Sequence, residues 1–188
     1  MSGFSGGGFL SIFRVCKFGA IALALLLLAA CQGQLEEGTV GNCPPTAILD
    51  DPSELTRYKP ASAKAPTDVL FHTKMTTFSG ICDFDANSID VELNISIEAV
   101  RGPANTSGKA EFAYFVAILK KDKTVLSRTK FPIIAEFVRQ DARFNFSESV
   151  SANIPRRKND STSDYILYLG FEMTPEELAH NRRRKRRR

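Results

Sequence analysis

The segment Ile89-Asp90-Val91-Glu92-Leu93-Asn94-Ile95-Ser96-Ile97-Glu98 alternates apolar and polar residues without a break. Successive side chains of an extended strand point to opposite faces. Ile89, Val91, Leu93, Ile95 and Ile97 therefore share one face, and their polar neighbours share the other. A strand with one buried and one wet side belongs in an antiparallel sheet rather than in a parallel sheet covered on both faces. Gly102-Pro103 marks a turn beyond its end.

The same period appears elsewhere in the chain. Thr46 to Leu49 is a short strand candidate, and Val69 to Cys82 a long one with a bend expected near Ser79-Gly80. Glu111 to Leu119 is aromatic and nearly continuous in apolar residues. Lys121-Asp122-Lys123 follows it as a hairpin turn. Thr124 to Phe137 contains Pro132, which cannot donate to a ladder and so implies an edge strand, a bulge or a break. Arg143 to Ile154 places Phe144, Phe146, Val150 and Ile154 on one face, with Glu148 as the exception on that face. Asp164 to Phe171 closes the series, with Tyr165, Leu167, Leu169 and Phe171 on one side. Arg156 to Ser163 is a polar loop.

About seven strands separated by turn residues predict an all-β fold, an antiparallel two-sheet sandwich, immunoglobulin-like in architecture. A short C-terminal helix follows. Thr174 caps it, Pro175 suits its first position, and Glu177 completes a capping box. The predicted organisation is a leader over 1–30, a tether over 31–42, the sandwich over 43–173, and a short helix with a basic tail over 174–188.

The leader has its own logic. Arg14 and Lys17 precede Phe18 to Ala30, an uncharged and mostly apolar run. That is a secretory signal, because a membrane span needs ~20 apolar residues. The run ends in Leu28-Ala29-Ala30-Cys31, which resembles the lipobox of bacterial lipoproteins. The resemblance implies diacylglycerol on the Cys31 thiol, cleavage before Cys31, and acylation of the new amino group. Two or more acyl chains hold a protein on a membrane at ~0.8 kcal/mol per buried CH₂. Gln32, where an Asp would favour inner-membrane retention in that family, implies the periplasmic face of the outer membrane. Gln32 to Asn42 carries three glycines and reads as a flexible tether.

Composition matters chiefly for charge. Arg14, Lys17 and the seven residues Arg182 to Arg188 leave sixteen of the 25 cations to set against all 21 acids, a net of −5 for the stretch between Cys31 and Asn181. An acidic body thus ends in a cationic run, Arg182, Arg183, Arg184, Lys185, Arg186, Arg187 and Arg188. In an exported protein this run is a candidate for anionic lipid or another polyanion, or else a solvated tail. The leader argues against nucleic acid as its partner.

Once Cys16 and Cys31 are assigned to leader and anchor, Cys43 and Cys82 remain, and an exported body makes a disulfide between them the favoured reading. His72 and His180 are the only histidines, and neither has Cys or His at ligand spacing. Asp83, Asp85, Asn87 and Asp90 lack the Gly and the terminal Glu of a calcium loop and read as a solvated turn. No nucleophile elbow and no phosphate-binding glycine loop occurs, so neither a catalytic residue nor a cofactor or metal is expected. The Asn-Xaa-Ser/Thr sequences at Asn94, Asn105, Asn145 and Asn159 read as chance.

Cys43-Pro44 and Gly170-Phe171-Glu172-Met173-Thr174-Pro175-Glu176-Glu177-Leu178-Ala179 resemble uncharacterised lipoproteins of alphaproteobacteria. That resemblance implies an envelope location and supplies no activity. The leading expectation is a non-catalytic, lipid-anchored envelope protein that binds an envelope protein partner or supports an assembly. The alternatives are a polyanion binder acting through the basic run, and an envelope hydrolase with a site assembled across the fold.

Overall fold

The computed structural model describes residues 43–61, 65–138 and 142–186, so Cys31 and the predicted leader and tether lie outside the described residues, as do Arg187 and Arg188. Within them the chain runs β1 (Thr46–Ile48), β2 (Glu54–Tyr58), β3 (Val69–Phe84), β4 (Ser88–Arg101), β5 (Lys109–Lys120), β6 (Val125–Glu136), β7 (Arg143–Pro155), β8 (Tyr165–Phe171) and one helix, α1 (Pro175–Lys185). Two four-stranded sheets form a sandwich, ordered β1-β8-β5-β6 and β2-β3-β4-β7. Every pairing is antiparallel except that of β1 with β8. The order differs from the A-B-E-D and C-F-G sheets of constant-type immunoglobulin domains, because β2, β3 and β4 are consecutive neighbours. The likeness stops at two facing antiparallel sheets.

The alternation over 89–98 does what its period demands. Ile89, Val91, Leu93, Ile95 and Ile97 are all buried, while Asp90, Glu92 and Asn94 are exposed. β5 lies between β8 and β6, and its near-continuous apolar run is buried on both faces from Phe112 to Ile118. Phe71 of β3 meets Phe112 of β5 across the two layers at 6.0 Å, and further aromatic pairs tie neighbouring strands of the β5 sheet. Phe112 meets Phe171 edge-on at 5.5 Å, and Tyr114 stacks on Phe131 at 5.0 Å. Gly170 has no side chain because one would strike Pro52 Cγ at 2.7 Å and the Phe115 ring at 3.0 Å. The Arg128 guanidinium stacks over the other side of this cluster, 4.2 Å from the Phe115 ring centre, and pairs with Glu172 at 2.6 Å.

One expectation, the bend near Ser79-Gly80, needs correction, and two features add to the predicted elements. β2 is a strand that polar Glu54-Leu55-Thr56-Arg57-Tyr58 did not announce, because only Leu55 is fully buried. The irregularity in β3 lies between Met75 and Thr77. Ser79 and Gly80 continue the ladder opposite Asn94 and Leu93. Gly80 is small for a packing reason, since a Cβ would come within 2.8 Å of Leu93 Cδ2. The helix also extends further than its capping box alone requires, taking Arg182, Arg183, Arg184 and Lys185 into its last turn. Pro132 stands on an edge strand, as its missing N–H demands.

Candidate functional site

The densest group of charged and polar side chains lies where α1 docks on β2 and on the 3-10 turn Asp51–Ser53. The Thr174 hydroxyl accepts from Glu177 N at 3.2 Å, and the Glu177 carboxylate accepts from Thr174 N at 2.8 Å. Glu177 also faces Arg57 Nε at 3.1 Å, so the helix start is tied to β2. One turn on, the buried Asn181 side chain donates to the carbonyls of Asp51 at 2.9 Å and Glu54 at 2.7 Å.

Beyond Asn181 the basic run meets acids of the same chain. Arg182 pairs with Asp51 at 2.7 Å, Arg184 with Glu54, and Lys185 with Asp50. The run is therefore neither a solvated tail nor a wholly free cationic surface over these residues. Cations also suit the negative end of a helix dipole, which is why arginines can close this helix. Exposed ion pairs are worth ~0–1 kcal/mol each, whereas an amide serving two main-chain carbonyls leaves both unserved when removed. Asn181→Ala should accordingly cost about 2 kcal/mol and Arg182→Gln well under 1 kcal/mol, compared by urea denaturation.

His72 stands beside this clasp on the outer face of its sheet. Its Nδ1 is 2.9 Å from the Thr56 hydroxyl. Burial, reinforced by the Arg184 charge, holds the imidazole below its free value of 6.5 against the opposing pull of Glu54 and Glu98. Burial pushes the Glu54 carboxyl up, but the hydrogen bond and charge of Arg184, with smaller help from His72 and Lys74, hold it below 4.5. Both groups take up protons more readily in the unfolded chain. The stability they contribute is complete above about pH 6.5, falls as His72 titrates below that value, and falls again as Glu54 titrates below 4.5. Thermal melts should show this two-step decline, and His72→Gln should remove the upper step alone.

A cavity of about 640 Å³ opens next to the clasp, with an apolar side at Tyr58, Leu70 and Phe71 and a polar side at Arg57, Lys109 and Glu177. Its cations are already matched, Arg57 by Glu177 and Lys109 by Glu136 at 2.9 Å. Thr56 lines it but His72 does not. The pocket holding His72 beside a nucleophile that a hydrolase would need is thus not this one.

The other candidate residues fall apart in space. Cys43 and Cys82 form a disulfide with their Cα atoms 5.6 Å apart. Asp85 spends its oxygens on its own turn, accepting from Asn87 N at 2.6 Å, Ser88 N at 2.7 Å and Ser88 Oγ at 2.8 Å. Asp90 accepts from Asn153 Nδ2 at 2.6 Å. Among the described residues no group of three or more His, Cys, Asp or Glu side chains could hold a metal ion. His180 lies in α1. Asn105, within one of the Asn-Xaa-Ser/Thr sequences, organises the β4–β5 turn by donating to Lys109 O at 2.9 Å and accepting from Gly108 N at 2.8 Å. Asn181 was equally silent in the sequence. An amide within a run of charges carries no pattern until its partner backbone is known.

No protein-family model, curated protein or solved structure matches this chain.

Proposed function

We propose that this protein is a bacterial envelope lipoprotein, held by acyl chains on Cys31, whose sandwich has a non-catalytic binding or assembly-support role. The observation that carries the reading is the Cys43–Cys82 bridge. Such bridges persist in oxidising compartments, and Leu28-Ala29-Ala30-Cys31 would send the body into one. The charged groups around α1 neutralise one another, which suits a structural clasp on the body. The test is mass spectrometry of the mature amino terminus from membranes. A peptide that starts at an acylated Cys31 supports the proposal, whereas an uncut leader or an unmodified Cys31 defeats it.

Polyanion binding through the basic run has a narrower base. Arg182, Arg184 and Lys185 are engaged, and Arg183 and Arg186 make no ion pair among the described residues. Arg183→Gln with Arg186→Gln therefore tests binding to anionic vesicles at low salt without dismantling the clasp.

A further inference from the structure

The four sheet edges are finished differently. β1 is only three residues long. β2 is met by α1, whose Asn181 takes the Glu54 carbonyl. β6 is long, and its phase is set by Phe137 N donating to Gly108 O and by Glu172 N taking the Ala113 carbonyl. The even-numbered residues of β6 therefore turn their main-chain groups away from β5. These include Arg128, Lys130 and Pro132, and cations and proline are how an edge discourages pairing.

β7 carries such residues only at its two ends, Arg143 and Pro155, and none between them. Arg101 N donates to Ala142 O and Arg156 N to Asn87 O, which fixes the phase of the β4–β7 ladder. Phe144, Phe146, Glu148, Val150, Ala152 and Ile154 bond to β4. Asn145, Ser147, Ser149, Ser151 and Asn153 turn N–H and C=O toward the open side. Among the described residues no strand or helix pairs with that side. The residues facing it are short and uncharged, and two are held over the sheet by Asp90 and Asn94.

We propose that β7 pairs antiparallel with β7 of a second copy of this chain, about a two-fold axis at Ser149. Centring on Ser149 gives the longest overlap. It opposes Ser149 with itself, Ser147 with Ser151 and Asn145 with Asn153, and forms about ten main-chain hydrogen bonds, two per opposed pair. No two like charges stand directly opposite, whereas Arg128 and Lys130 make β6 a poor self-pairing edge. On the inner face, Phe146 comes opposite Ala152 and Phe144 opposite Ile154. Phe144 and Phe146 stack with ring centres 5.5 Å apart and are only partly buried in the single chain, so the second copy covers them. Between those ends Glu148 is the opposing element, since its diagonal neighbour is the Glu148 of the second copy, about 7–8 Å away. The inference stands apart from lipid on Cys31 and is tested separately from it.

The test uses the full-length chain in mild detergent, with the unsubstituted chain as control for its own thiols. Ser149→Cys should give a covalent dimer on oxidation, and Ser127→Cys on β6 should not. Asn145→Cys and Asn153→Cys chains should cross-link when mixed and not when alone. Ser149→Pro removes an N–H that β4 does not use, so it should keep the melting temperature yet weaken association by at least about tenfold, because both main-chain hydrogen bonds of the central pair are lost, one from each copy. Glu148→Gln should strengthen association severalfold. The proposal is overturned if Ser149→Cys cross-links no better than Ser127→Cys, or if the mixed pair fails to cross-link. Should Ser149→Pro not fold, these cysteine results decide alone.

Discussion

Replacing Cys43 and Cys82 together by serine is expected to cost about 4 kcal/mol of folding stability, the chain-entropy value for a loop of this separation. The two residues are 39 positions apart in sequence. Cys43 precedes β1 in one sheet, and Cys82 lies in β3 of the other opposite Val91, so the bond joins the layers at the start of the body. β1 has only three residues to hold it against β8, and a short edge strand is where fraying begins. A loss of this size should lower the melting temperature by about 10 °C in a domain of this length. Circular dichroism of the double-serine protein, with the reduced native chain alongside, measures it. A drop of only a degree or two would mean that packing, not the cross-link, fixes the amino-terminal segment.

Ile95→Ala should be nearly as damaging. Ile95 is fully buried, paired with Phe78 on β3 and with Glu148 on β7. Removing a buried aliphatic side chain typically costs 2–5 kcal/mol, part of it for the cavity left behind. The centre of a long strand has least freedom to collapse, so a value of about 3–4 kcal/mol is expected. Asn94→Ala next door, on the exposed face, should change stability by less than about 0.5 kcal/mol. Equal effects at the two positions would contradict the assignment of faces. Ile95→Asp should prevent folding, since it would bury a carboxylate beside Glu148 without a cation to meet it.

These predictions fall where the sequence was most legible. Alternation over 89–98, the aromatic run of β5, the reach of β7 and the capping box at Thr174 are local patterns, and local geometry decides them. Even Glu148, the misfit of its strand, keeps the inward face, where burial and, to a lesser extent, its charge push the Tyr114 phenol up to about 12. What stayed illegible depends on distant partners. β2 is a strand because β3 and α1 lie on either side of it, not because its residues alternate. The charges of Arg182, Arg184 and Lys185 read as free until Asp50, Asp51 and Glu54 were brought to them across about 130 residues. Asn105 and Asn181 act through main-chain carbonyls that no side-chain motif encodes.

The parallel bond between β1 and β8 fixes an order of events. A polypeptide made from its amino end presents Thr46–Ile48 long before Leu167–Leu169 exists to receive it. The acids at Asp50, Asp51 and Glu54 likewise wait for the arginines at the other end. The first of the described strands is thus made long before its partner, and a product broken off before β8 leaves Thr46–Ile48 without the strand it joins.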